Sequence, residues 1–329
     1  MEAKRNIGLD IVKGICVVGM VVHHSMNYYL PNGVELKYFR FVSGAFLFLA
    51  GFVCTHIYFS RYDPGKDSVR IGRRLVTRGL KLLLILLVLN IGIALLPGLS
   101  HKAKGVSLAQ RFLLVLWSGT YREVSFALLA PIGYVLIAVG VIVLVLRSHA
   151  RNLVWIALVL FVYCSGWHFS QETGYYLRYF TIGLLGAACG LIPDERLDRV
   201  CKNLSMISLI FLALLCAISY LRTNFPFYAA NVAISLMFLY ALSIKTSSQE
   251  WVARKTILTG NYTLVCYLFQ ILLLQALRPV MRRATSWDEL RMVLATIITL
   301  VAMLAFSEIL DLLRRKSGRI NTLYKALFA

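Results

Sequence analysis

Apolar runs about 20 residues long recur along almost the whole chain, and each is long enough to cross a bilayer core as one helix. They fall at roughly 8–29, 39–59, 76–96, 125–146, 152–168, 177–193, 204–221, 226–244, 256–277 and 291–312. Hydrocarbon offers no hydrogen bonds to a backbone, so a run of this kind has to satisfy its own amides as a helix. The pattern predicts an all-α integral membrane protein, a bundle of about ten transmembrane helices. Of the 329 residues, 59% are hydrophobic and 15% charged, against ~45–50% and ~25% in soluble domains. A soluble fold is thereby excluded, and the expectation is one transmembrane domain over 1–329 with no soluble domain attached.

Lys and Arg concentrate in short cytoplasmic loops. With Lys4 and Arg5 inside, the inner segments also receive Arg61, Lys66, Arg70, Arg73, Arg74, Arg147, Arg151, Arg196, Arg199, Lys202, Lys245, Arg254, Lys255 and the group Arg314 to Lys325. The bias predicts both termini in the cytoplasm. The loops holding His101, Lys102, Lys104, Arg111 and Arg122, and Arg278, Arg282 and Arg283, are basic yet fall outside. They suit anionic headgroups, an acidic glycan or plain anchoring, and Leu108 to Trp117 reads as a short interfacial helix. The net charge of +20 is spread over many loops with no reading motif, which argues against nucleic acid as a partner. The first run carries Asp10 and Lys13 with no small-residue cleavage pattern after it, so it reads as a retained span and not a signal peptide. The seven cysteines are scattered without a CxxC pair and read as small core hydrophobes, with no metal site.

The first span, "DIVKGICVVGMVVHHS", holds an acid, a lysine and two histidines where each charge costs roughly 2.5–3.5 kcal/mol near the bilayer centre. At about 100° per residue, Lys13 and His24 lie within roughly 20° of each other, with Asp10 a turn further in. Asp10, Lys13 and His24 form one polar stripe, and His23 points about 100° away from it. A neutral imidazole takes a proton from a hydroxyl near pH 7. A packing histidine beside an i, i+3 ion pair is the plainer alternative.

In the second span Gly44 and Gly51 allow close helix approach, while His56 and Arg61 read as interface anchors or functional groups. The third, "RIGRRLVTRGLKLLLILLVLN", places Arg74, Arg78 and Lys81 on one face beside Arg73. Anionic phosphates, from a bound molecule or from lipid, are the partners for such a face. The ninth, "LTGNYTLVCYLFQILLLQALRP", is polar on one side through Asn261, Tyr262, Tyr267, Gln270 and Gln275, which suits an interior cavity or interhelical bonding. His168, Glu172, Tyr175, Tyr176 and Arg178 fall at the outer interface.

The stretch "GLDIVKGICVVGMVVHH" resembles the first span of the acyltransferase-3 and heparan-glucosaminide N-acetyltransferase-like families of multipass membrane acyltransferases. "FLFLAGF", "RRLVTRGLKLL" and "LTGNYTLVCYLFQ" are similar to family elements in the same order. The resemblance implies O-acylation, as in polysaccharide modification. The acyl group, usually acetyl, passes from a cytoplasmic acyl-CoA to a sugar hydroxyl of a cell-surface or lipid-linked glycan, at the cell membrane. Acyl-CoA would be a co-substrate and no cofactor tightly bound. By the resemblance His24 is the catalytic base and the arginines after the second span, Arg73, Arg74 and Arg78, help bind the donor; Asp10 with Lys13 is expected to position the inner part of the first helix. His23, Asn261, Gln270 and Glu172 are candidate contacts to the acceptor or the developing oxyanion. Two departures stand out: Lys13 replaces the usual arginine and loses its planar fork, and Gln270 stands where relatives often have histidine and cannot titrate. The competing expectations are a secondary transporter or flippase for an anionic lipid-linked molecule and a structural membrane subunit. No paired inverted repeat is evident to favour the transporter.

Overall fold

A computed structural model describes residues 6–30, 36–61, 66–95, 116, 126–146, 152–166, 174–193, 195–201, 225–245 and 251–328. Every regular element among them is helical. In chain order these are α1 Ile7–Tyr29, α2 Leu36–Arg61, α3 Ser68–Leu95, α4 Leu129–Leu146, α5 Leu153–Gly166, α6 Gly174–Cys189, α7 Phe225–Lys245, α8 Trp251–Asn261, α9 Thr263–Ala284, α10 Asp288–Lys316 and α11 Gly318–Phe328.

Among the described residues seven helices, α1 to α4, α7, α9 and α10, are long and apolar enough to cross a membrane. The expected fifth and sixth spans are helices of 14 and 16 residues. The expected seventh, 204–221, lies outside the described residues, as does the interfacial helix at Leu108 to Trp117 apart from Leu116. The ninth differs from expectation. Instead of one span at 256–277, the chain breaks at Tyr262 into α8 and α9. Gly260 and Asn261 are poor helix formers, the Thr263 hydroxyl takes the Gly260 carbonyl at 2.6 Å, and the Tyr262 amide is shared between Leu258 and Thr259 at 3.3 and 3.2 Å.

The chain divides into two compact units. One holds 46–197 with the first residues of α7; the other holds α1, the start of α2, most of α7, and α8 to α11.

In the first unit α3 and α4 are joined by glycines. A Cβ added to Gly72 would lie 2.7 Å from the Gly140 carbonyl oxygen, and one added to Gly79 would lie 2.6 Å from that of Gly133. Seven residues separate the glycines on each helix, so the same face meets its partner twice in antiparallel order. Lipid supplies little driving force between apolar helices, and close backbone approach provides the dispersion contacts instead. Against α6, α2 is fixed by the Thr55 hydroxyl donating to the Ala187 carbonyl at 2.7 Å.

In the second unit α1 is the hub and packs on α8, α9 and α10. Asn6 caps it, its side chain accepting from the Leu9 amide at 3.0 Å while its amide nitrogen donates to the Tyr240 hydroxyl at 2.9 Å. Val12, Cys16, Val17, Met20 and Val21 are fully buried along its length. At its N-terminal half Gly260 of α8 abuts the Asp10 backbone and Gly14 abuts Thr256. The helix carrying the polar stripe is therefore held at backbone contact.

Replacing Gly140 with leucine should lower the melting temperature in detergent by several degrees, because overpacking costs about 1–3 kcal/mol. Gly92→Leu, where a Cβ meets nothing within 4 Å, should leave it unchanged. Equal melting of the two variants would contradict the glycine contact between α3 and α4.

Candidate functional site

The stripe predicted on α1 is present, and its two ends have different surroundings. At one end Lys13 Nζ sits 2.6 Å from Asp10 Oδ1, with Asp10 only 6% exposed. The i, i+3 spacing makes this pair, and it neutralises both charges in the apolar interior. At the other end His24 is ringed by aromatics: its centroid lies 6.4 Å from Tyr28 and 6.3 Å from Tyr267. Its Nε2 is buried with no hydrogen-bond partner among the described residues.

Across from His24, α9 presents a stripe of its own. Tyr267, Gln270, Leu274 and Arg278 recur at spacings of three and four, which places them on one helix face. Gln270 is fully buried, at 0% exposure. Neither its carbonyl oxygen nor its amide nitrogen has a hydrogen-bond partner among the described residues. An unsatisfied buried polar atom costs about 1–3 kcal/mol, so two on one side chain single Gln270 out as a candidate contact for a bound group.

The same end of the unit gathers further polar groups. Gln275 Nε2 donates to the Tyr28 hydroxyl at 3.5 Å, and the Arg278 guanidinium lies 5.9 Å from the Tyr28 ring centre. Arg278 Nε, Ser25 Oγ and Tyr29 Oη are buried with no hydrogen-bond partner among the described residues. Tyr29, Leu274, Met281 and Ala295 form a buried apolar cluster on which Tyr28 packs. His24 and Arg278 thus both meet Tyr28, from α1 and α9 respectively, and Gln270 stands one turn along α9 from Tyr267, which His24 also meets.

The remaining expected site residues divide. His23 lies beside His24, with ring centroids 5.6 Å apart. Asn261 is exposed at the end of α8, nine residues before Gln270. Glu172 and His168 lie outside the described residues. Arg73 and Arg74 are exposed on α3 and Arg78 is half-buried, with Nη1 donating to the Tyr58 hydroxyl at 3.3 Å; all three belong to the first unit. His56, also there, has Nδ1 3.3 Å from the Gly190 carbonyl and stacks on Phe52 at 4.9 Å, a packing role. Among the described residues no group of three or more His, Cys, Asp or Glu is placed to hold a metal ion.

Ser25 and Tyr28 were not singled out from sequence, and Arg278 was read only as one of the bases of an outer loop. Tyr28 had a signal, standing four residues after His24 on the same face, but aromatics near a span end read first as an interfacial belt.

Comparison with curated proteins returns no match. The model of the acyltransferase domain matches residues 6–311, which takes in both stripes, the basic face of α3 and nearly the whole chain. The chain belongs to the acyltransferase-3 family and is a membrane acyltransferase.

Proposed function

We propose that the protein transfers an acyl group, acetyl in the simplest case, from acyl-CoA to a sugar hydroxyl of a cell-surface or lipid-linked glycan. The reading takes both termini as cytoplasmic and the plasma membrane as the location. The observation that carries it is the pair of unsatisfied buried groups, His24 Nε2 and the Gln270 amide, on adjoining helices of an acyltransferase. Family membership favours this enzyme over the transporter and structural-subunit readings.

The chemistry assigns each group a step. His24 takes the proton from the acceptor hydroxyl as its oxygen attacks the thioester carbonyl carbon. The carbonyl oxygen gains the negative charge, and Gln270 Nε2 donates to it. Collapse of the tetrahedral species breaks the carbon–sulfur bond, and the thiolate of CoA leaves with the proton returned by His24. The Gln270 carbonyl oxygen accepts from a second acceptor hydroxyl. Tyr28, Tyr267 and Arg278 orient the sugar, and Asp10 with Lys13 fixes the helix that carries the base. This role for Gln270 needs no titration, which accounts for an amide where relatives often have an imidazole. Arg74 and Arg78, with Arg73 beside them, bind the donor phosphates through planar forks.

In membranes supplied with labelled acetyl-CoA, His24→Gln should cut incorporation into the glycan fraction at least ~100-fold, the usual worth of general-base catalysis. Melting should stay within a few degrees of wild type, and normal transfer by this variant would sink the mechanism.

Gln270→Met removes both unsatisfied atoms at similar volume. It should lower turnover about 100-fold while matching or exceeding wild-type thermal stability. Unchanged turnover would remove Gln270 from the oxyanion site.

The donor assignment is read separately, by titrating acetyl-CoA and free CoA into detergent-purified protein. Arg78→Ala should weaken micromolar binding of both ligands about tenfold, and identical affinities would overturn the phosphate role.

A further inference from the structure

Eleven residues after the last long span form a helix that the catalytic reading does not use. α11, Gly318–Phe328, begins two residues past the end of α10 and buries no residue. An isolated helix this short is marginal in water, so its stability has to come from a surface against which it lies.

The protein supplies part of that surface along one edge. The Arg314 guanidinium lies 3.8 Å from the Tyr324 ring centre and donates to Asn321 Oδ1 at 3.2 and 2.9 Å. The same arginine donates to the Tyr262 hydroxyl at 3.1 Å. Tyr262 donates in turn to Asp311 at 2.8 Å, and its ring meets Tyr324 edge-on at 5.6 Å. One side of α11 is thus clamped to the end of α10 and to the break between α8 and α9.

The adjoining side is open. Ile320, Leu323, Tyr324 and Leu327 follow the spacing of a single apolar stripe, yet Leu323 is 61% and Leu327 46% exposed. Lys316, Arg319 and Lys325 are exposed as well and have no acidic partner among the described residues. Arg315 pairs with Asp311 at 2.8 Å and remains 76% exposed. From 312 to 329 the sequence holds no aspartate or glutamate.

We propose that Lys316 to Phe328 is a binding site for anionic phospholipid, a helix lying in the plane of the membrane surface. Chain continuity with a membrane-spanning helix places it at that surface. Leu323 and Leu327 enter the acyl boundary, Arg319 and Lys325 reach phosphates from the flanks, and unopposed positive charge selects anionic over zwitterionic headgroups. Through Arg314 and Tyr262, occupancy of this site also steadies the α8–α9 break.

Hydrogen exchange on the full chain in nanodiscs tests this without a label, since exchange reports opening of each helix separately. In phosphatidylcholine discs containing 30% phosphatidylglycerol, amides of 318–328 should exchange at least ~10-fold more slowly than in pure phosphatidylcholine. Lys316→Gln/Arg319→Gln/Lys325→Gln should abolish that difference, and Leu323→Ser/Leu327→Ser should speed exchange in both lipids. Unchanged exchange in α1 and α10 certifies the fold of each variant. Inorganic phosphate added to pure phosphatidylcholine discs should have no effect. Equal exchange in the two lipids, persistence of the difference in the glutamine variant, or slowing by phosphate alone would each overturn the proposal.

Discussion

A bilayer core provides no water to satisfy a polar group, so every donor and acceptor placed there has to find its partner inside the protein. Several hydroxyls on the described helices meet that constraint locally. Ser165 donates to the Phe161 carbonyl at 2.7 Å, Thr181 to Leu177 at 2.8 Å and Thr296 to Met292 at 2.7 Å, each four residues back along its own helix. Asp10 and Lys13 meet it by pairing. Gln270 meets it in neither way: its amide nitrogen and carbonyl oxygen have no hydrogen-bond partner among the described residues. Ser25 Oγ, Tyr29 Oη and His24 Nε2 share that lack, so the exceptions gather where α1 faces α9.

Keeping such an amide unsatisfied requires a frame that does not collapse around it. That frame is made by backbone contact: Gly260 against Asp10 and Gly14 against Thr256 fix the first helix beside α8. The aromatic stack of Phe269 on Phe306, 4.4 Å between ring centres, seats α9 on α10. Small residues set the spacing, and large flat ones set the orientation.

Helix class and most spans were legible in the sequence because hydropathy and length are properties of single segments. The pairing of Asp10 with Lys13 and the shared face of Lys13 and His24 were legible for the same reason, both following from the period of one helix. The break at Tyr262 was not, since a hydropathy average over the segment hides one poorly formed turn between two good helices. Nor was α11, too short to read as a span although its apolar spacing is regular. Residues contributed by a second helix were hardest. Gln270 drew notice as a polar residue in an oily run, but its lack of a partner exists only once α1 and α9 are set side by side. Ser25 needed that juxtaposition to be noticed at all, and Arg278 needed it to be tied to Tyr28 instead of to an outer loop.

On the proposed mechanism, an amide that presents an unmet donor and an unmet acceptor side by side would also be open to a neutral inhibitor. A small primary or cyclic amide offers the complementary pair in one plane and would supply the two hydrogen bonds that Gln270 does not make among the described residues. Carrying no charge, it crosses the bilayer without the cost that a CoA-like compound bears. Selectivity would follow from the same atoms, because a relative with imidazole at this position presents a different pattern of donors and acceptors.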